Sequence, residues 1–359
     1  MPDLASLLER EMQEIRPPDL TIGDVAHRRD RRRRNERLGT AIAAFVIAGV
    51  AIGGLLRAFE DIDQDVPALP VHIGGIAFVD EDRLYVVAPD GSDLRQVADV
   101  HVEYPDWSPD GSIIAFDNGN VVDHTDWSRD AGHIFTIGAD GTKLSQITTG
   151  NGAEFAPDWS PDGTRIAVSA RGQDESPPGI FILDPVTGTM RPVTANPYPG
   201  YLDKEPDYSP DGRQIVFVRD RQLTEKGGTS DLSAIFVVNV DGSDPRRLTS
   251  WRDGLTGTPS WSPDGTTIVF RGSSAYGASD APAQLFLIRP DGSSLRQLTF
   301  ETNANSFWPS WSPDGKRIVF TRYVYDSPAQ HLYTIWPDGS HLVRLRIPAG
   351  NEATWVAPS

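Results

Sequence analysis

The sequence predicts an all-β ring of six four-stranded antiparallel sheets, preceded by one transmembrane helix. Three observations carry that reading. The stretch Trp107-Ser108-Pro109-Asp110-Gly111 returns letter for letter from Trp159, Trp261 and Trp311, and with Tyr208 in place of the tryptophan, at intervals of about 50 residues. A fixed period of that size marks a chain built from stacked supersecondary units. A second signal counts six units: Asp-Gly turns at Asp90, Asp140, Asp241, Asp291 and Asp338, with Pro185-Val186-Thr187-Gly188 as a variant. The third is the mismatch between five motifs and six turns. The first unit lacks its opening strand, and the chain ends on Asn351 to Val356, which match the approach to the motif and then stop. Joining the two ends completes a sixth sheet and removes the exposed seam of an open array.

Taken in order, Leu4, Leu7, Leu8, Met12 and Ile15 recur at near-helical spacing, so residues 3–15 read as a short amphipathic helix that Pro17-Pro18 ends. A basic run from Arg28 to Arg37 then abuts Leu38 to Leu56, which carries no charge. At 1.5 Å per residue that run reaches ~28 Å, close to a hydrocarbon core of ~30 Å. Residues 38–57 are therefore expected to be an uncleaved signal-anchor helix. The alternative, a cleaved signal peptide, has a shorter apolar region of ~7–15 residues. Arginines ahead of the span put residues 1–37 in the cytoplasm and everything beyond the span outside, as a single-pass protein of the cell membrane. Gly49-Val50-Ala51-Ile52-Gly53 lets two such helices approach closely, which suggests a weak homodimer through the membrane helix. Residues 58–70, acidic and with Pro67 and Pro70, form a linker.

Residues 71–359 hold the repeats. In the unit from Trp261, an extended approach ends at the motif, and Ser262-Pro263-Asp264-Gly265 makes a tight turn: proline presets φ, aspartate bonds the local backbone, and glycine tolerates positive φ. Thr267 to Phe270, Gln284 to Ile288 and Leu295 to Thr299 follow as strands B, C and D, with Asp291-Gly292 as the C–D hairpin. Ile76 to Phe78, Leu84 to Val87 and Leu94 to Val97 supply B, C and D of the first unit, and the C-terminal strand supplies its A. Asp126 to Gly132 imitate the motif but precede a strand C, and are read as part of a B–C loop.

The chain has no cysteine, which excludes disulfides, thiol nucleophiles and cysteine-ligated metals. Formal charge is −17 overall; residues 1–57 hold ten Arg against eight Asp and Glu, or +2, leaving about −19 for the remainder. An acidic body excludes non-specific nucleic-acid binding, since phosphates attract basic surfaces. No Gly-x-Ser-x-Gly nucleophile elbow and no metal-type histidine spacing occur.

The unit Pro-x-Trp-Ser-Pro-Asp-Gly, then Ile-Val-Phe, Asp-Gly-Ser and Arg-x-Leu-Thr, resembles the WD-like repeats of the TolB-like propeller family over residues 71–359. The resemblance implies a six-bladed β-propeller. It departs from that family ahead of the repeats, where an anchor stands in place of an α/β domain, so a Tol-Pal role does not carry over.

In such a ring the A–B and C–D turns share one face, and the B–C and D–A connections share the other. The stereotyped turns are structural, so function is expected on the second face, where the units differ. Long loops at 117–132, 171–178, 219–232 and 271–283 lie there, with the D–A residues Glu154, Tyr201, Asp203, Glu205, Trp251 and Trp308 as candidate ligand-binding groups. Carboxylates among aromatics suit a cationic peptide, a sugar or a divalent ion. Asp106, Asp158 and Asp207, each one residue before the motif aromatic, form a crescent that is either a Ca²⁺ site or a set of satisfied strand-edge acceptors. No cofactor and no catalytic residue is assigned. The expected function is a non-catalytic, membrane-anchored extracytoplasmic scaffold for a protein or envelope ligand. The alternatives are a propeller enzyme of the polysaccharide lyase or lactonase type, or a transmembrane signalling protein whose residues 1–37 hold a cytoplasmic regulator.

Overall fold

The computed structural model describes residues 75–119, 132–149, 152–170, 178–194, 201–221, 232–251, 254, 257–273, 281–325, 327, 329–347 and 349–356. All belong to one compact unit, Pro70–Ser359. The predicted leader helix, membrane span and linker lie outside the described residues, as do most of the B–C loops and the motif imitation at 126–131. Among the described residues no helix is long and apolar enough to cross a membrane.

The described chain forms six four-stranded antiparallel sheets, the blades of a propeller. Blade 1 joins Asn351–Trp355 to Ile76–Asp80, Arg83–Val87 and Arg95–Ala98. Its closing pairs are Ile76 with Trp355 and Ala77 with Thr354. The strand missing from the first repeat is therefore the last strand of the chain. Blades 2 to 6 begin with innermost strands Glu103–Trp107, Glu154–Trp159, Tyr201–Tyr208, Ser260–Trp261 and Ala304–Trp311. Blade 5 is shorter than predicted at both edges: its A strand is only Ser260–Trp261 and its D strand only Arg296–Gln297.

Each motif letter has a job. Ser108 Oγ donates to Asp110 Oδ1 at 2.7 Å and accepts the Ile113 N–H at 3.0 Å, while Asp110 Oδ1 accepts the Ser112 N–H at 3.0 Å. Gly111 sits at φ 67° and donates to the Ser108 carbonyl at 2.8 Å. The same geometry returns from Ser160, Ser209, Ser262 and Ser312. The motif aromatic packs between blades. Trp107, Trp159, Tyr208, Trp261, Trp311 and Trp355 each join a separate apolar cluster built from two adjacent blades, one aromatic per seam. The closing threonine of four repeats is buried for a similar reason: Thr148, Thr194, Thr249 and Thr299 accept the N–H of Ile134, Ile180, Ile235 and Leu285, all at 2.9 Å.

Candidate functional site

The six innermost strands share one irregularity. Three residues before the seam aromatic, a non-glycine residue takes a left-handed φ: Tyr104 at 49°, Ala156 at 50°, Glu205 at 55°, Thr258 at 39°, Trp308 at 48° and Glu352 at 48°. Proline follows in five blades and Ala353 in the sixth. The pairing with strand B slips there in five blades, for example between Glu103 and Asp106 and between Phe307 and Ser310. A bulge of this kind re-aims side chains, and a strained φ costing ~1–3 kcal/mol persists only where its surroundings hold it.

Those surroundings are hydrogen bonds from the preceding blade. The Tyr104 N–H donates to Glu352 Oε2 at 2.7 Å, Ala156 to Asp117 Oδ2 at 2.9 Å, Glu205 to Ser169 Oγ at 2.9 Å, and Thr258 to Glu205 Oε2 at 2.5 Å. A second tier lies two residues on. Asp106, Asp158 and Asp207 accept the N–H groups of Trp159, Tyr208 and Trp261, each at 2.7 Å. Asp106, Asp158 and Asp207 thus stand on the innermost strands of three consecutive blades, and one oxygen of each carboxylate bonds the next blade. Among the described residues no three His, Cys, Asp or Glu groups lie together so as to hold a metal ion.

Between the strands lies a central cavity of about 110 Å³, lined by three consecutive residues from every blade. Its acids are Asp106, Asp158, Asp207, Glu205 and Glu352, its aromatics are Tyr104 and Trp308, and no Lys, Arg or His is among its lining residues. Burial sets the protonation there, because low dielectric disfavours a charged carboxylate. Asp106 is pushed up to about 7 by burial, against the Trp159 and Trp107 N–H groups and the Thr354 hydroxyl. Asp158 rises well above the usual carboxylate range through burial and then the charges of Asp207 and Asp106; Asp207 rises through burial and then Asp106. Glu352 reaches about 8 through burial, with Glu103 and Asp82 adding and the Tyr104 N–H opposing. Burial thus favours the protonated form of these carboxyls.

The predicted site residues divide into three groups. Glu205 and Trp308 line the cavity together with the crescent. Tyr201 and Trp251 pair edge to face at 6.0 Å on blade 4, with Trp251 tilted against Phe236 at 5.6 Å. Asp203 and Glu154 are fully buried. Asp203 holds Arg219 in a bidentate pair at 2.6 and 2.7 Å, with the guanidinium over Phe236 at 4.8 Å. Glu154 Oε2 lies 3.1 Å from His133 Nδ1. Tyr104 and Glu352 also line the cavity and are not among the candidate groups named from the sequence. Their shared offset of three residues before the aromatic was the available signal, together with the proline that follows in most blades.

A family model described as the TolB beta propeller domain matches residues 75–357. The Tol-Pal system protein TolB of Francisella tularensis is 26% identical over 183 residues, covering 51% of this chain and 37% of that protein. An uncharacterized peptidase of Bacillus subtilis, YuxL, is 31% identical over 127 residues, covering 34% of this chain and 18% of that one. The matched part thus spans well under half the length of these curated relatives. Among solved structures, TolB from Acinetobacter baumannii superposes with a TM-score of 0.59 at 20% identity, over 80% of this chain and 68% of that one. Oligogalacturonate lyase in complex with manganese gives 0.50 at 18% identity, over 76% and 72%.

Proposed function

The chain belongs to the TolB beta propeller domain family, and from that premise we propose that it is a non-catalytic scaffold that holds a basic protein segment at its acidic central cavity. The observation that carries this is the lining: five carboxylates and two aromatics drawn from five of the six blades, with no cation among the lining residues. An arginine or lysine entering from a partner favours the charged form of these buried carboxyls and supplies its counter-charge, and Trp308 offers a ring face for a cation–π contact. A relative named as a Tol-Pal system protein supports a protein partner in general. On this reading residues 38–57 anchor the propeller to the outer side of the cell membrane, as the apolar run and its arginine flank suggest.

Titrating the full-length protein with a lysine-rich peptide and with a glutamate-rich peptide of equal length tests the proposal. Saturable binding of the first alone, weakened by Glu205→Gln with Glu352→Gln, supports it. Equal binding of both peptides would sink it. The raised carboxyls favour a second reading, because carboxylates with separated or raised pKa values also serve as general acids and bases. That reading requires turnover of a saccharide or lactone that Asp158→Asn abolishes. Membrane attachment is checked separately by alkaline carbonate extraction, which releases a protein lacking a spanning helix.

A further inference from the structure

Blade 6 breaks the repeat along its outer strand, and the departures gather in one groove on the turn face. In blades 1, 4 and 5 the arginine four residues after the C–D glycine reaches the next blade. Arg95 donates to the Ala139 carbonyl at 2.6 Å, Arg246 to Pro290 at 3.1 Å and Arg296 to Pro337. Arg191 makes the same bond from blade 3 to Val240 at 3.2 Å. Blade 6 has Val343 at that position, exposed and without a polar group to cross the seam. Three residues on, where four blades bury a threonine, it has the exposed Arg346. Where the equivalent residue before the turn is Ala88, Gly138, Asn239 or Arg289, it has Trp336, 41% exposed.

The groove that results lies between blades 6 and 1 and has a volume of about 260 Å³. Its lining includes Trp336, His341, Arg317, Arg344, Arg346 and Asp90. Trp336 stacks on His341 with ring centres 3.9 Å apart and planes 17° apart. Arg344 lies 3.1 Å from His331 Nδ1, and Arg317 sits over the Trp355 ring at 5.4 Å. None of the three arginines is in an ion pair with a carboxylate among the described residues. The one lining acid, Asp90, turns its Oδ1 to the N–H and hydroxyl of Ser92. Elsewhere on this face the groove between blades 3 and 4 is different: Arg165 is paired with Asp184 at 3.3 Å, and Arg191 is spent on Val240.

We propose that this groove is a binding site for an acidic saccharide, separate from the central cavity and independent of what that cavity holds. The chemistry matches in two parts. Guanidinium forks fit a carboxylate in bidentate fashion and stay charged at any physiological pH. An indole held flat by a stacked neighbour presents an apolar surface and edge to the C–H face of a pyranose ring. The contrast with the rest of the domain adds selectivity, because a body carrying about −19 repels an anion everywhere except where cations are collected. An acidic peptide has the charge but lacks the rigid ring.

The test uses the full-length protein and three probes: a pentagalacturonate, a neutral maltopentaose and a pentaglutamate peptide, read by tryptophan fluorescence and calorimetry. The variants take their replacements from sister blades, so the fold tolerates them: Arg346→Thr, Arg344→Gln and Trp336→Ala. The expected result is saturable pentagalacturonate binding that each variant weakens about tenfold, in line with loss of one charge-assisted or aromatic contact. Melting temperature should stay unchanged, and Asp158→Asn in the central cavity should leave the affinity alone. Equal binding of maltopentaose, tighter binding of pentaglutamate, or wild-type affinity in all three variants would each overturn the proposal. So would the absence of saturation at millimolar pentagalacturonate.

Discussion

Raising the pH from 5 to 8 should loosen this ring, the reverse of what paired surface carboxylates produce. Glu352 and Asp106 have pKa values of about 8 and about 7 in the folded state, above their ordinary values of 4.5 and 3.8. Groups raised in this way favour the native state fully below the unfolded pKa, and that contribution is lost as pH rises through the folded value. Each proton bound only in the native state gives a slope of about 1.4 kcal/mol per pH unit. Between pH 5.5 and 6.5 both groups act, so stability should fall by about 2–3 kcal/mol per unit, and Asp158, Asp207 and Asp117 push in the same direction. The turn aspartates oppose this only in strong acid. Asp110, Asp162, Asp211, Asp264 and Asp314 are lowered, first by the motif serine hydroxyl, so their contribution is present above the ordinary value and lost as pH drops below it. Stability is thus greatest near the ordinary carboxylate values, about pH 4. Guanidinium unfolding across a pH series measures it, and Glu352→Gln, which keeps an acceptor for the Tyr104 N–H, should flatten the slope by about 1.4 kcal/mol per unit. Stability that climbs from pH 5 to 7, or an unchanged slope in the variant, would refute the reasoning.

Three further perturbations follow from named contacts. Asp207→Ala leaves the Trp261 N–H without its acceptor at the seam and should cost ~1–3 kcal/mol, whereas Asp207→Asn keeps the acceptor and should stabilise the protein at pH 8; equilibrium denaturation separates them. Arg219→Met strands the fully buried Asp203 carboxylate and should cost ~3–5 kcal/mol, largely recovered by adding Asp203→Leu in a double-mutant cycle. Thr249→Val orphans the Ile235 N–H at almost constant volume, with an expected loss of ~1–3 kcal/mol in thermal melts, while Thr266→Val in an exposed turn should lose less.

Most of the architecture was legible because the repeat is written in turn chemistry. Ser-Pro-Asp-Gly and Asp-Gly are local signals, and comparing their counts located the ring closure that Ile76 and Trp355 make. The candidate site was less legible. Asp203 and Glu154 occupy the same type of position as Glu205 in the sequence, yet Asp203 is buried against Arg219 on strand B of its own blade and Glu154 against His133, beside strand C of the preceding blade. Glu205 and Glu352 instead fall on the left-handed residue, which turns them to the channel. Strand alternation alone does not separate these cases, because the bulge shifts the register by one between them. The crescent of Asp106, Asp158 and Asp207 was visible as a pattern, but its bonds to the next blade depend on how far apart the strands stand.

The central claim is that a protein partner is held at the central cavity and not on the turn face. A photo-reactive residue placed at Trp308, at Tyr104 and, on the turn face, at the 92% exposed Val186 reads this in the cell that makes the protein. Adducts are expected from 308 and 104 that map to a basic stretch of one partner, lost in Glu205→Gln with Glu352→Gln, and none from 186. Adducts from 186 alone, or adducts at the cavity that persist without those two charges, would contradict it.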